Sequence, residues 1–358
     1  MLAFSLGRWK ISIIPLVAAA ILFRFFQLNA VLVFAAAAVA LVPLAGLIGR
    51  ATEELAGHLG TAAGGLLNAA LGNVAELVIG IVALWSGQVE VVKASITGSI
   101  IGDLLLVFGC AAFFGGLGRE KLVFSRIAAG ADLAMLFLAV VALVMPALFQ
   151  LTVFGALPAS GTRIERLSLW VAAILLFIYF CSLVFIFRTH RRLFTVTKPD
   201  PPSVGKSTAV LALVAATILA AYVSDILVSQ ITAVTQALGW TDLFVGLVIV
   251  ATVGNAVEHS TAVMMARDEQ MDLALNVAVG SSTQIALFVA PVLVVISQFR
   301  GPPLSLVFHP LEIAAVILSV AVVALVSLDG ETHWFEGLQL LGVYLILALF
   351  FYYLPARM

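Results

Sequence analysis

Gly72-Asn73-Val74-Ala75-Glu76 is followed 182 positions later by Gly254-Asn255-Ala256-Val257-Glu258, and the first string runs directly into Leu77-Val78-Ile79-Gly80-Ile81-Val82-Ala83-Leu84. A carboxylate at the centre of a membrane helix costs roughly 3 kcal/mol by insertion scales. Two of them in matching frames therefore imply a use that needs both. Working outward, 63% of the 358 residues are hydrophobic and only 10% are charged, whereas a soluble surface needs about 25% charged residues. The composition reads as an all-α, polytopic integral membrane protein. Its formal net charge of −1 and the lack of a long block of like charge offer no case for nucleic acid. The expected partners are membrane lipid and whatever crosses it.

About 20 apolar residues span a bilayer as a helix. Marking such runs predicts eleven helices, near 11–28, 30–50, 61–85, 91–116, 127–150, 167–188, 207–236, 242–266, 272–298, 308–328 and 336–355. The polar stretch 189–206, with Lys198-Pro199-Asp200-Pro201-Pro202, is expected to link two halves. Residues 1–29 form a peripheral first helix, retained rather than cleaved. Twelve Lys and Arg residues, among them Arg119, Lys121, Arg126, Lys206 and Arg267, fall in loops on one side, against five on the other. The positive-inside rule then puts the amino terminus inside and the carboxyl terminus outside. Cys110 and Cys181 lie within apolar runs and are expected as buried small hydrophobes, not as a disulfide or thiolate site.

The repeat extends beyond the two strings. Gly98-Ser99 and Gly280-Ser281 stand at the same offset. With the first helix set aside, 30–188 and 207–358 each carry five spans, and an odd number forces the second copy to enter the membrane from the opposite side. Inverted repeats of this kind build secondary transporters with their site at the midplane.

Gly and Asn are poor helix formers, so Gly72, Asn73, Gly254 and Asn255 should loosen the helix and release backbone carbonyls. Glu76 and Glu258, one turn on, would face the same point. Carboxylate, amide, carbonyl and hydroxyl oxygens make a hard ligand set suited to Ca²⁺. Two ionised carboxylates in a low dielectric repel and pay for desolvation, so the pair is expected to cross either with one divalent cation or with two protons. That is the logic of an antiporter. Supporting roles fall to Ser99 and Asp103 in the fourth helix and to Ser281, Ser282 and Gln284 in the ninth. Glu53 and Glu54 at the end of the second helix, and Asp225 in the seventh, are candidates for a cation pathway. His190, His309 and His333 read as interfacial, and His259 as packing beside Glu258. No enzyme chemistry is expected, because the acids lack a partnered nucleophile or a His-x-x-x-His motif, and no cofactor is called for beyond the transported ion.

The two Gly-Asn strings, together with Gly280-Ser281-Ser282-Thr283-Gln284-Ile285-Ala286-Leu287-Phe288-Val289-Ala290-Pro291 and Asp329-Gly330-Glu331-Thr332-His333-Trp334-Phe335-Glu336-Gly337, resemble the CAX family of Ca²⁺/H⁺ antiporters in the Ca²⁺/cation antiporter superfamily. The resemblance covers nearly the whole chain. It implies eleven helices, Glu76 and Glu258 as cation and proton carriers, Gly72, Asn73, Gly254 and Asn255 as the kinked ligand-bearing segments, and Gln284 as their polar neighbour. The chain departs from the family pattern at Asp103, where Asn is usual, which bears on the charge of the site. The linker is basic and proline-rich where the family's eukaryotic members carry an acidic helix, and that resemblance implies a prokaryotic cytoplasmic membrane rather than a vacuole. A Na⁺/Ca²⁺ exchanger of the same superfamily and a divalent cation channel are the alternatives.

Overall fold

The structure, a computed structural model, describes residues 6–154, 162–189 and 202–355. Most of the expected linker, with His190 and Lys198, therefore lies outside the described residues, as does Arg357. The described chain is almost entirely helical, and we number its apolar segments in order: α1 Leu6–Phe25, α2 Ala30–Gly60, α3 Ala63–Trp85, α4 Val89–Gly116, α5 Arg126–Thr152, α6 Arg163–Thr189, α7 Lys206–Leu238, α8 Asp242–Arg267, α9 Met271–Ser297, α10 Pro310–Val326 and α11 Trp334–Tyr352. Eight of these are long and apolar enough to cross a membrane, nine when the bent α8 is taken as one span, and α1 and α10 contribute shorter apolar stretches. A two-residue antiparallel pairing of β1 (Leu122–Val123) with β2 (Glu331–Thr332) ties the α4–α5 loop to the α10–α11 loop.

Burial sorts the helices into an inner and an outer set. The apolar window of α4 is 83% buried and that of α9 67%, against 22% for α6 and α11. The outer helices turn Trp170, Phe177, Leu345 and Ile346 outward, as expected of side chains that lipid solvates. At the centre, α4 and α8 meet backbone to backbone. A Cβ placed on Gly98 would overlap the Leu247 carbonyl oxygen, and one on Gly246 would stand 2.6 Å from the Ala94 Cβ. Gly is used at both positions because no side chain fits between the helices.

Two expectations need correction. The second helix does not stop near residue 50. It continues to Gly60, where φ is +78° and the chain turns into α3, because Ala51 and Ala56 still face the core and Glu53, Glu54 and Leu55 are strong helix formers. Cys181 is exposed on the surface of α6 rather than buried, and Cys110 is half-buried; neither is disulfide-bonded. On a lipid-facing helix an apolar residue need not be inside. His309 and His333, at span ends, also have a structural task. Each is the N-cap of its helix, closing a capping box with Glu312 and Glu336 respectively, which satisfies amides that the helix start leaves open.

Loops hold both ends of the bundle. At one end the Arg119 guanidinium donates to the Gly115 carbonyl at the end of α4 and to the Arg267 carbonyl at the end of α8, and pairs with Glu269. At the other, Arg300 after α9 stacks 4.7 Å from the ring of Trp85 at the end of α3. Arg119→Ala strips a charged donor from two helix ends, and we expect it to cost about 2 kcal/mol, read as a lower thermal midpoint of the purified protein. Lys121→Ala, which removes only the exposed pair with Glu331, should leave the midpoint where it is.

Candidate functional site

Both Gly-Asn strings break their helices. In α3 the helix stops at Leu71 and restarts at Val74, with Asn73 as N-cap at φ −100°, ψ 32°. In α8 it stops at Gly254 and restarts at Ala256 across Asn255 (φ −92°, ψ 6°), and the two halves are bent by 57°. Each restart places its glutamate in the first turn of a new half-helix. The positive end of a helix dipole favours negative charge there, so the break both exposes backbone and aims a carboxylate.

The halves of the chain are interleaved at these breaks. A Cβ on Gly254 would lie 3.3 Å from Glu76 Oε1, and one on Gly72 would lie 3.5 Å from Gln284 Oε1. The bare backbone at each motif thus receives a polar side chain from the other half. Asp103, on the wide π-type turn Gly102–Val107 of α4, is fully buried and stands within electrostatic range of both Glu76 and Glu258. The Ser281 hydroxyl is next to Asp103 and Glu258, without a hydrogen bond of good geometry to either.

Here Glu76 Oε2, Glu258 Oε2, both Asp103 oxygens and Ser281 Oγ, and on the break segments themselves Asn73 Nδ2, Asn255 Oδ1 and His259 Nε2, are buried and have no hydrogen-bond partner. Buried polar atoms are rarely left so. A concentration of them in one place, mostly oxygens, is the arrangement a cation or protons would satisfy. Among the described residues no three His, Cys, Asp or Glu side chains converge closely enough to hold a metal ion by themselves. Ser99 and Ser282 are also buried. The Ser282 hydroxyl donates to the Ala278 carbonyl within α9 and lies 3.4 Å from the Ile100 carbonyl of α4. It joins the two inner helices.

The remaining pathway candidates lie elsewhere. Asp225 forms an ion pair with Arg24 at 2.7 Å and so fastens α1 to α7. Glu54 accepts from the backbone N–H groups of Ser203 and Val204, and His58 contacts the Val204 carbonyl, pinning the start of α7 to the end of α2. Glu53 is exposed. The structure brings none of these three acids to the buried cluster.

The close packing of the inner helices is uneven. Gly98 and Gly246 seal α4 against the first half of α8. At their counterparts 182 positions away, Gly280 and Gly64, a Cβ would meet only nearby chain: the Asn276 side chain at 2.7 Å for the first and the Ala56 carbonyl for the second. Asn276 is exposed, and Gly280 and Gln284, on the same face of α9, are half-buried. Two features at the site were not anticipated from sequence. One is this one-sided seal. The other is Tyr179 of α6, whose phenol donates to the Ala69 carbonyl at 2.7 Å; a single aromatic in an apolar run gives no signal that separates it from packing.

Comparison with known proteins places these features in a family. The sodium/calcium exchanger protein family matches residues 29–188 and 208–353. A Ca²⁺/H⁺ antiporter of Synechocystis sp. is 42% identical over 344 residues, covering 90% of this chain and 91% of that protein. The Ca²⁺/H⁺ antiporter ChaA of Bacillus subtilis is 40% identical over 329 residues, covering 90% and 92%. Among solved structures, native YfkE superposes with a TM-score of 0.84 at 36% identity, over 97% of this chain and all of that one. With both halves matched and relatives at this identity along nearly the full length, the chain belongs to the sodium/calcium exchanger protein family.

Proposed function

We propose that this protein exchanges Ca²⁺ for H⁺ by alternating access across a prokaryotic cytoplasmic membrane, with Glu76 and Glu258 carrying either one Ca²⁺ or at least two protons. The observation that carries the reading is the cluster of orphaned oxygens at the two helix breaks. Relatives of about 40% identity bear the name Ca²⁺/H⁺ antiporter, which favours protons over Na⁺ as the coupling ion. The ligand set is Glu76, Glu258, Asn73 and Asn255 with backbone oxygens at Gly72 and Gly254; Ser99, Asp103, Ser281, Ser282 and Gln284 line it. Asp103 adds a third carboxyl within electrostatic range of the pair.

The architecture we propose for this activity is a peripheral first helix (1–29), a linker (189–206) and two inverted five-helix repeats (30–188 and 207–358). The 182-residue offset supports it at the level of backbone. α3 ends at Trp85 and α8 at Arg267, α4 begins at Val89 and α9 at Met271, and wide turns fall at Gly102–Val107 and Ile285–Val289. The close packing at Gly98 and Gly246, set against a side-chain contact alone at Gly280, supports closure of the site on the side away from the face that bears Arg119, Lys121, Arg126 and Arg267. By the Lys and Arg count that face is cytoplasmic.

Because cation and protons compete for the same oxygens, Ca²⁺ uptake by proteoliposomes should fall as pH is lowered on the Ca²⁺-loading side, and raising Ca²⁺ should restore it. The test of the reading imposes a pH gradient alone and then a Na⁺ gradient alone. Uptake driven by the first and not by the second is expected. Uptake driven equally by Na⁺ would assign the Na⁺/Ca²⁺ alternative, and a Ca²⁺ current with no proton movement would assign a channel.

A further inference from the structure

We propose that Tyr179 is a positioning residue of the transport site: by taking the Ala69 carbonyl it holds the Gly72–Asn73 break one residue wider than its counterpart and so sets where Asn73 and Glu76 stand. The inference rests on the Ca²⁺/H⁺ reading of that site. Its basis is a difference between two positions that the sequence makes equivalent.

In a continuous helix the Ala69 carbonyl accepts from the N–H of residue 73. At the matching place in α8 that bond exists, since Asn255 N donates to the Ala251 carbonyl at 3.1 Å and the helix runs through Gly254. In α3 the helix stops at Leu71, one residue earlier by the 182 offset, and the Ala69 carbonyl accepts from the Tyr179 phenol at 2.7 Å instead. Tyr179 is 3% exposed, so water does not compete for that carbonyl. Its ring stacks on Phe288 of α9 at 5.3 Å and 28°, one helical turn beyond Gln284, whose side-chain oxygen faces Gly72. One side chain thus fixes the break in α3 and registers it against α9.

The second half has a tyrosine in a similar place with a different task. Tyr344 of α11, also buried, stands beside the Thr252 hydroxyl of α8, and the Ala251 carbonyl next to it is already bonded within its helix. Tyr344 therefore supplies a matched control, a buried phenol near a break that it does not hold open.

Without its phenol oxygen, Tyr179→Phe leaves the Ala69 carbonyl free to recover the Asn73 N–H, which adds a residue to the helix and draws Asn73 and Glu76 out of position. In proteoliposomes driven by a pH gradient, Tyr179→Phe is expected to raise KM for Ca²⁺ by about five- to tenfold, the scale of one buried hydrogen bond, with kcat little changed. Tyr344→Phe should leave KM within about twofold of wild type. An unchanged KM in Tyr179→Phe, or equal shifts in both variants, overturns the proposal. Wild-type vesicles that show no Ca²⁺ uptake under a pH gradient would instead overturn the transport reading itself. Hydrogen exchange on the wild-type protein decides the matter even if Tyr179→Phe is not recovered folded. An Asn73 amide that exchanges faster than the Asn255 amide supports the asymmetric break, and equal protection of the two contradicts it.

Discussion

Glu76→Gln and Glu258→Gln, each introduced singly, are expected to lower pH-gradient-driven Ca²⁺ uptake by about 100-fold or more, the scale set by the roughly 3 kcal/mol cost of breaking a buried charge arrangement. Gln keeps the shape and one oxygen of Glu but cannot take up or release a proton, and it returns no negative charge to Ca²⁺. Either change leaves the ion only one glutamate of the pair across the interleaved breaks, where Glu76 lies against Gly254. The loss should appear in transport while the thermal midpoint stays near wild type, because Glu76 Oε2 and Glu258 Oε2 make no hydrogen bond in the fold. Uptake by reconstituted vesicles measures the first quantity and unfolding of the purified protein the second. No loss of this size is expected at Asp225, whose ion pair with Arg24 serves packing of α1; Asp225→Asn should retain most uptake.

Gly98→Ala gives the largest expected effect on stability. Its Cβ would overlap the Leu247 carbonyl oxygen and stand 2.5 Å from the Leu247 Cα, and backbone cannot rotate away as a side chain can. Separating α4 from α8 at that point should cost on the order of 3 kcal/mol. Gly280→Ala, 182 positions later, meets only the far end of its own Asn276 side chain, which can turn aside. The prediction is therefore a difference. Thermal unfolding in one detergent should place Gly98→Ala well below Gly280→Ala, and equal midpoints would contradict the uneven packing of the two glycines.

Much of the architecture could be read from sequence because lipid imposes simple rules. Apolar runs such as Arg126–Thr152 and Lys206–Leu238 became helices at nearly their expected limits, since a backbone in hydrocarbon has no other way to satisfy its polar groups. Boundaries failed where the chain leaves the membrane. Past residue 50, Ala51, Ala56 and the two glutamates follow the ordinary rule of an amphipathic helix, which a search for apolar runs does not detect. Cys181 failed for the converse reason, because an apolar run does not say which side faces lipid and which faces protein.

At the site, Glu76, Glu258 and the Gly-Asn pairs stood out because their residue types are costly or helix-breaking where they occur. The convergence of Asp103 and Ser281 with them depends on how α4 packs against α8 and α9, a long-range property. Asp225 and Glu54 showed the limit of charge as a signal. Both are acids near or within spans, yet one is ion-paired with Arg24 and the other accepts hydrogen bonds from the backbone N–H groups of Ser203 and Val204. Partners so distant in sequence are visible only once the helices are assembled. Tyr179 carried no signal at all, because its meaning lies in one carbonyl released by a helix break 110 residues earlier.

The central claim is that Ca²⁺ and protons occupy the same carboxylates in turn. Calorimetric titration of the purified wild-type protein with Ca²⁺, repeated in buffers of different ionisation enthalpy, counts the protons displaced per ion bound. The account predicts release of about two protons per Ca²⁺ at a pH where the empty site is protonated, and loss of that release in Glu258→Gln. Ca²⁺ binding with no proton released at any pH between about 5 and 8, the range in which protonated sites exchange their protons for metal, would contradict it.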